Sequence, residues 1–145
     1  MTSRLDALVR FYETLSPQTV DQLGDIYSAE AEFKDPFNEV RGIAAITRIF
    51  EHMFVQVEAP RFVVTGRFAG EGGDEGAMLL WEFHFRTRGF GAQALCIRGA
   101  SHLRFDAEGM VVLHRDYWDA AEELYARLPL LGALMRILQR MGAAR

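Results

Sequence analysis

The sequence predicts an α+β fold, helices first and then a curved, mainly antiparallel sheet, and three observations carry that prediction. Apolar residues recur at helical spacing before residue 60, and three glycine-rich segments then cut residues 61–118 into four strand-like runs. Gly99 interrupts one of those runs at its middle, where a bend or bulge would curve the sheet. With 145 residues and 50% apolar composition the chain suits one domain with a real core.

Each element follows from its local pattern. Leu5, Leu8, Val9, Tyr12 and Leu15 share one helical face and predict a first helix from about Arg4 to Leu15. Ser16-Pro17 reads as an N-cap with a first-turn proline, opening a second helix that buries Val20, Leu23, Ile26 and Tyr27. A short strand is expected over Phe33–Phe37, then a loop from Asn38 to Gly42. Ile43, Ile46, Ile49, Phe50, Met53 and Phe54 predict a third helix that ends before Pro60. The turns Gly70–Gly76, Arg88–Gly91 and Asp106–Gly109 are too short for crossovers, so strands at 61–69, 77–87, 92–105 and 110–118 should form an antiparallel meander.

Alternation assigns faces in this meander. Leu79, Trp81, Phe83 and Phe85 oppose Glu82, His84 and Arg86, and Leu95, Ile97, Gly99, Ser101, Leu103 and Phe105 oppose Cys96, Arg98, Ala100, His102 and Arg104. The last strand is undecided: Val112, His114, Asp116 and Trp118 share one face, Val111, Leu113, Arg115 and Tyr117 the other. If the even face turns inward, an imidazole and a carboxylate lie two residues apart in the interior and can move a proton or hold a water. If it turns outward, they join a polar surface.

Asp35 is the second ambiguous acid. On a strand it would sit between Phe33 and Phe37, where loss of water penalises its charged form and suits it to carry protons. Read as Asp35-Pro36, it starts a turn instead.

Composition narrows the function classes. Sixteen basic and twenty acidic residues give a net charge of −4, which argues against nucleic acid as a partner. Met1–Asp6 lacks the apolar run of a signal peptide and no stretch approaches about 20 apolar residues, so a cytoplasmic location is expected. The single cysteine, Cys96, has no ligand set at short spacing, so strand packing is its expected role and neither metal nor cofactor is expected.

Two segments carry a family resemblance. Tyr27–Gly42, with its Asp-Pro-Phe and the glycine that opens the third helix, and Leu103–Gly109 leading to Tyr117-Trp118 resemble the nuclear-transport-factor-2-like superfamily, which includes ketosteroid isomerase and the SnoaL-like polyketide cyclases. The resemblance covers residues 5 to about 119. It implies a cystatin-like cone in which three N-terminal helices pack on the sheet and enclose an apolar pocket. It places Asp35 on the isomerase general base and implies that Trp118, hence Asp116 and His114, face the cavity. The isomerase's oxyanion donors do not match: Phe11 and Ser101 stand in their positions and Phe50 in that of a supporting tyrosine, Tyr12 lies one residue from the first, and Tyr27 alone keeps a network tyrosine. Loss of one such donor typically costs about two to three orders of magnitude in rate, so steroid isomerase activity is not expected.

The expected site is therefore an apolar cavity with few polar groups. Asp35, His114 and Asp116 are the candidate catalytic residues, and Tyr12, Tyr27, Phe33, Phe37, Phe50, Phe54, Trp81, Phe83, Ser101 and Trp118 the candidate binding residues. The leading function is isomerase- or cyclase-type acid/base chemistry on an apolar carbonyl, polyketide-like or lipid substrate. The alternatives are a module that only binds such a ligand, or epoxide-hydrolase-like activation of water.

The resemblance implies that residues 1–119 form the cone, with 120–145 expected as a helical extension of the same unit. Asp119–Glu122 resembles a capping box before a short helix that Pro129 interrupts. A following helix sets Leu130, Leu131, Leu134, Met135, Ile137, Leu138 and Met141 against Arg136, Arg140 and Arg145, with no acid after Glu123. Segment 130–145 can fold back on the domain or across a dimer, meet a membrane surface or a protein, or cover the cavity mouth. A homodimer through the outer sheet face is expected, since Glu82, His84, Arg86, Arg98 and His102 give that face a self-complementary mix of charges.

Overall fold

The first helix, α1 (Thr2–Glu13), buries Leu5, Leu8, Val9, Phe11 and Tyr12 in a computed structural model that describes residues 2–71, 76–89, 91–123 and 129–143. The Thr14 hydroxyl and amide both donate to the Arg10 carbonyl and close its last turn. The expected second helix is reduced to a six-residue 3-10 helix, Val20–Asp25. Thr19 organises the turn before it: its Oγ1 accepts from the Ser16 amide at 2.9 Å, while the Thr19 and Val20 amides donate to the Ser16 carbonyl. Val20 and Leu23 are buried as anticipated, but Tyr27 opens a strand instead of closing a helix.

That strand, β1 (Tyr27–Lys34), ends before Asp35 and pairs antiparallel with β2 (Glu39–Arg41). Asp35 thus stands in the turn between the two, not in mid-strand. Gly42, at φ 95°, precedes α2 (Ile43–Gln56), a backbone state that L side chains rarely adopt, and its amide donates to the Ala31 carbonyl. α2 passes directly into β3 (Val57–Ala69), which begins four residues earlier than its sequence pattern suggested. Pro60 is tolerated there because β3 is an edge strand and its pairing shifts between Glu58 and Arg61.

β4 (Gly76–Thr87), β5 (Ala94–Phe105) and β6 (Val111–Tyr117) complete the antiparallel meander. The predicted turns fall between them, with Gly72–Glu75 and Phe90 outside the described residues. The sheet order is β2-β1-β6-β5-β4-β3, and the β1–β6 pair is parallel. That pairing sets Phe33 beside His114 and brings the early strand against the last one. α1 and α2 cover the face carrying Leu79, Trp81, Ile97 and Leu103, which with Leu8, Leu23, Tyr27 and Ile46 form the core. The architecture is a mixed α+β fold with a curved six-strand sheet.

Of the bend or bulge expected at Gly99, no bulge forms. β4 and β5 pair without a register shift from Gly76↔Arg104 to Arg86↔Ala94, and Gly99 lies opposite Trp81. A Cβ at residue 99 would stand 2.5 Å from Trp81 Cη2 and 2.6 Å from Cζ2, so the missing side chain is the space the indole occupies. Gly99→Ala is expected to destabilise the fold by about 1–3 kcal/mol, because a rigid ring must leave its site. Urea unfolding followed by tryptophan fluorescence measures this; an unchanged midpoint would show the indole free to move.

Beyond β6, the Asp119 carboxylate accepts from the Glu122 amide at 3.0 Å and caps α3 (Ala120–Glu123), as its capping pattern suggested. Glu123 is buried and pairs with Arg98 Nε at 3.1 Å, tying α3 to β5. Residues 124–128, and with them the rest of the predicted short helix, lie outside the described residues. α4 (Pro129–Gly142) follows and exposes Leu134, Ile137, Leu138 and Met141 along one stripe. Arg145 and the side chains of Leu130, Leu131 and Met135 lie outside the described part. No described helix is long and apolar enough to cross a membrane.

Candidate functional site

The concave side of the sheet and α2 enclose a cavity of about 690 Å³. Strand alternation supplies most of its apolar wall: Phe33 from β1, Phe62 from β3, Trp81, Phe83 and Phe85 from β4, and Ile97 from β5. Phe83 stacks on Phe62 and Phe85 with ring centroids 4.6 and 5.0 Å apart. Phe37, from the β1–β2 turn, is exposed and meets Trp118 edge-on at 5.6 Å, so these two rings stand at the rim. α2 contributes Ile49, Phe50 and Met53, and beside them a polar row of Arg48, His52 and Gln56 four residues apart.

One carboxylate in this wall, Asp116, is wired to a buried network. The β6 side chains that the sequence left undecided point inward: His114 is buried, and Asp116 and Trp118 line the cavity. Asp116 Oδ1 lies 2.6 Å from His114 Nε2 and accepts from Ser101 Oγ at 2.5 Å. Ser101 Oγ in turn accepts from the Trp81 indole N–H at 2.9 Å, which leaves its own proton for Asp116. On the far side of the imidazole, Tyr27 OH lies 2.5 Å from Nδ1, and Tyr12 OH lies 2.5 Å from Tyr27 OH and 3.0 Å from Nδ1. A neutral His114 protonated on Nε2 satisfies every member: Tyr12 donates to Tyr27, Tyr27 to Nδ1, and Nε2–H to Asp116. Both branches therefore end as donors on one carboxylate oxygen. Among the described residues nothing bonds the other, Oδ2.

The tyrosines are fixed in their donor form. Burial pushes the Tyr12 hydroxyl far above the ordinary tyrosine range; its bond to Tyr27 offsets part of this, and the Asp116 charge adds to it. Burial likewise raises Tyr27, followed by the neighbouring Tyr12 and then Asp116.

Asp35 also borders the cavity, but its carboxylate organises the turn. Oδ1 accepts from the Phe37 and Asn38 amides at 2.8 and 2.7 Å, and the Asn38 side-chain amide donates to Oδ1 and Oδ2 at 3.1 and 3.2 Å. The two phenylalanines do not flank it as strand neighbours: Phe33 is buried in β1, and Phe37 is exposed.

Of the candidate binding residues, Phe33, Phe37, Phe50, Trp81, Phe83 and Trp118 line the cavity. Tyr12, Tyr27 and Ser101 do not; they stand behind the wall in the hydrogen-bond network, and His114 is with them. Phe54 is also absent from the lining, since the cavity-facing row of α2 runs through Met53 and Gln56 instead. The polar lining residues that sequence reasoning passed over are Asn38, Arg48, His52 and Gln56, and Phe62 is an apolar one. The signal for three of them was present, because Arg48, His52 and Gln56 recur every fourth residue alongside the apolar stripe.

A family model for the SnoaL-like domain matches residues 8–114. Among solved structures, the chain is similar to a hypothetical protein with a ketosteroid isomerase-like fold from Catenulispora acidiphila, solved with trimethylamine, at 15% identity and TM-score 0.71, covering 87% of this chain and 93% of the other. It is similar to a protein assigned as a SnoaL-like polyketide cyclase from Shewanella putrefaciens, at 16% identity and TM-score 0.68 over 86% and 97% of the two chains. SalBIII, an epoxide hydrolase/cyclase-like enzyme in pyran ring formation of the polyether salinomycin, gives 15% identity and TM-score 0.69 over 81% and 92%. No curated protein matches the sequence. At such identities the structural likeness speaks for the fold, while the match over residues 8–114 includes α2, β3 to β5 and the start of β6 as far as His114. The chain belongs to the SnoaL-like domain family.

Proposed function

We propose that this protein is an acid/base enzyme of the isomerase or cyclase type, acting on an apolar carbonyl or polyketide-like molecule held in the cavity. The observation that carries this reading is the Asp116 carboxylate: one oxygen is fixed by Ser101 and His114, and the other is left to meet a ligand. Such a group takes a proton from a carbon beside a carbonyl and returns it elsewhere on the same substrate, without solvent delivering it. His114 and the two tyrosines hold the carboxylate in one orientation. The fused apolar wall matches a hydrophobic ligand, and Arg48, His52 and Gln56 are donors for a polar group at its mouth. The polyketide-cyclase and epoxide hydrolase/cyclase-like assignments of two structural neighbours agree with this substrate class.

A second reading, activation of water against an epoxide, is favoured by one fact: Asp35 and Asp116 both border the cavity. Incubation with a panel of apolar epoxides and polyketide-like ketones, followed by mass spectrometry, tests both. A product of unchanged mass supports isomerisation or cyclisation, and a gain of one water supports hydrolysis. A retained ligand that never changes would show a binding module and overturn the enzymatic reading.

A further inference from the structure

On the opposite face of the sheet, away from the cavity, three side chains of metal-ligating type converge. Glu82 and His84 are two residues apart on β4 and so point the same way, and Cys96 on β5 is the direct cross-strand partner of His84. His84 Nε2 lies 3.0 Å from Glu82 Oε1 and 3.9 Å from Cys96 Sγ, and the three donor atoms all fall within 4.8 Å of one another. All three residues are half-buried. We infer that Glu82, His84 and Cys96 form a binding site for a zinc-class divalent ion, independent of the cavity and of the proposed reaction.

The argument is geometric first. Tetrahedral zinc, with bonds of about 2.0 Å to oxygen and nitrogen and about 2.3 Å to sulfur, sets an N···O separation of about 3.3 Å and an N···S separation of about 3.6 Å. The observed 3.0 and 3.9 Å bracket those values, and the Glu82 oxygen and Cys96 sulfur, within 4.8 Å of each other, would have to approach to about 3.6 Å by side-chain rotation to close the site. Two ligands on one strand and the third directly across from one of them form a triangle on a rigid ladder. No register shift interrupts the β4–β5 pairing that holds it.

Charge and softness agree. A carboxylate and a thiolate together carry two negative charges against a divalent ion, and His84 binds as neutral imidazole while the Cys96 thiol releases its proton to solvent. Of the neighbouring cations, Arg98, opposite Glu82 in the ladder, is engaged with Glu123, while Arg61 on β3 stands opposite His84 and offsets part of this attraction. A mixed O, N and S set is suited to zinc or cobalt; calcium and magnesium prefer oxygen alone. Three protein ligands leave the fourth position to water on this solvent-facing side.

No sequence motif points to this site, because its ligands come from two strands and their spacing matches no short pattern. An ordinary ion pair of Glu82 with His84 beside a packing cysteine is the alternative, and cobalt separates the two. Titration of the reduced, untagged full-length chain with Co²⁺ should produce a thiolate-to-cobalt charge-transfer band together with the intense visible bands of tetrahedral cobalt. These should saturate at one ion per chain and be displaced by Zn²⁺. Cys96→Ser should abolish the charge-transfer band, and His84→Ala and Glu82→Gln should each weaken zinc binding at least about 10-fold against a chromophoric chelator. All three positions are half-exposed, so circular dichroism should stay unchanged in these variants. Absence of the charge-transfer band in the parent chain would overturn the proposal. So would a Cys96-dependent band whose affinity is indifferent to both His84 and Glu82, which would mean a lone thiol capturing metal.

Discussion

Asp116→Asn is expected to lower turnover by about two to four orders of magnitude, the usual range for loss of a positioned proton carrier, with little change in ligand affinity. The separation arises from the bonding at this residue. An asparagine placed with its oxygen where Oδ1 now lies still accepts from Ser101 and from His114 Nε2, so the network and the wall keep their shape. Its amide nitrogen then takes the place of Oδ2 and cannot accept a proton from a substrate. Asp35→Asn is the informative contrast. Asparagine at 35 can still accept the Phe37 and Asn38 amides at its oxygen and keep the turn, so its kcat should stay within a few-fold of the parent if Asp116 is the proton carrier. Steady-state kinetics on the substrate identified from the panel measures both. An unchanged kcat in Asp116→Asn sinks the assignment, and a collapse confined to Asp35→Asn transfers the role to the turn carboxylate.

The elements legible in the sequence were those whose burial is one-sided. Alternation in β4 and β5 assigned Trp81, Phe83 and Ser101 to the interior because the opposite faces carry Glu82, Arg86 and Arg98. β6 gave no such contrast: His114 and Asp116 look like surface residues until the partners that satisfy them, Tyr12, Tyr27 and Ser101, are brought from three other elements. Those contacts span up to 102 residues, and no local pattern encodes them. Ser16-Pro17 opens a single turn, with the Thr19 and Val20 amides on the Ser16 carbonyl, and the chain then continues as a six-residue 3-10 helix before Tyr27 enters the sheet. The rotation that set Tyr12 one place from the isomerase pattern was also resolved by tertiary structure. Tyr12 reaches the imidazole from behind, as a donor to the network, where the resemblance would have had a tyrosine contact the substrate.

That network also predicts how the fold fails in base. In the folded chain the Tyr12 and Tyr27 hydroxyls are held far above their ordinary value, chiefly by burial, whereas in the unfolded chain both ionise near pH 10. Below about pH 10 both states keep these protons, and the contribution to stability is complete. As pH rises past 10 the unfolded chain releases two protons that the native one retains, so stability should fall by about 2.7 kcal/mol per pH unit. Lysines add little in this window, because Lys34 is the only one and the remaining basic residues are arginines. Urea unfolding between pH 9 and about pH 11.5 should show that slope, with tyrosinate absorption from the buried pair emerging only with unfolding. Tyr27→Phe removes one of the two titrations and should roughly halve the slope. Stability that stays flat past pH 10, or full tyrosinate absorption from a chain that is still folded, would mean the pair is open to solvent. In that case the hydroxyls could not serve as fixed donors behind His114, and the one-way arrangement of protons toward Asp116 would lose its support.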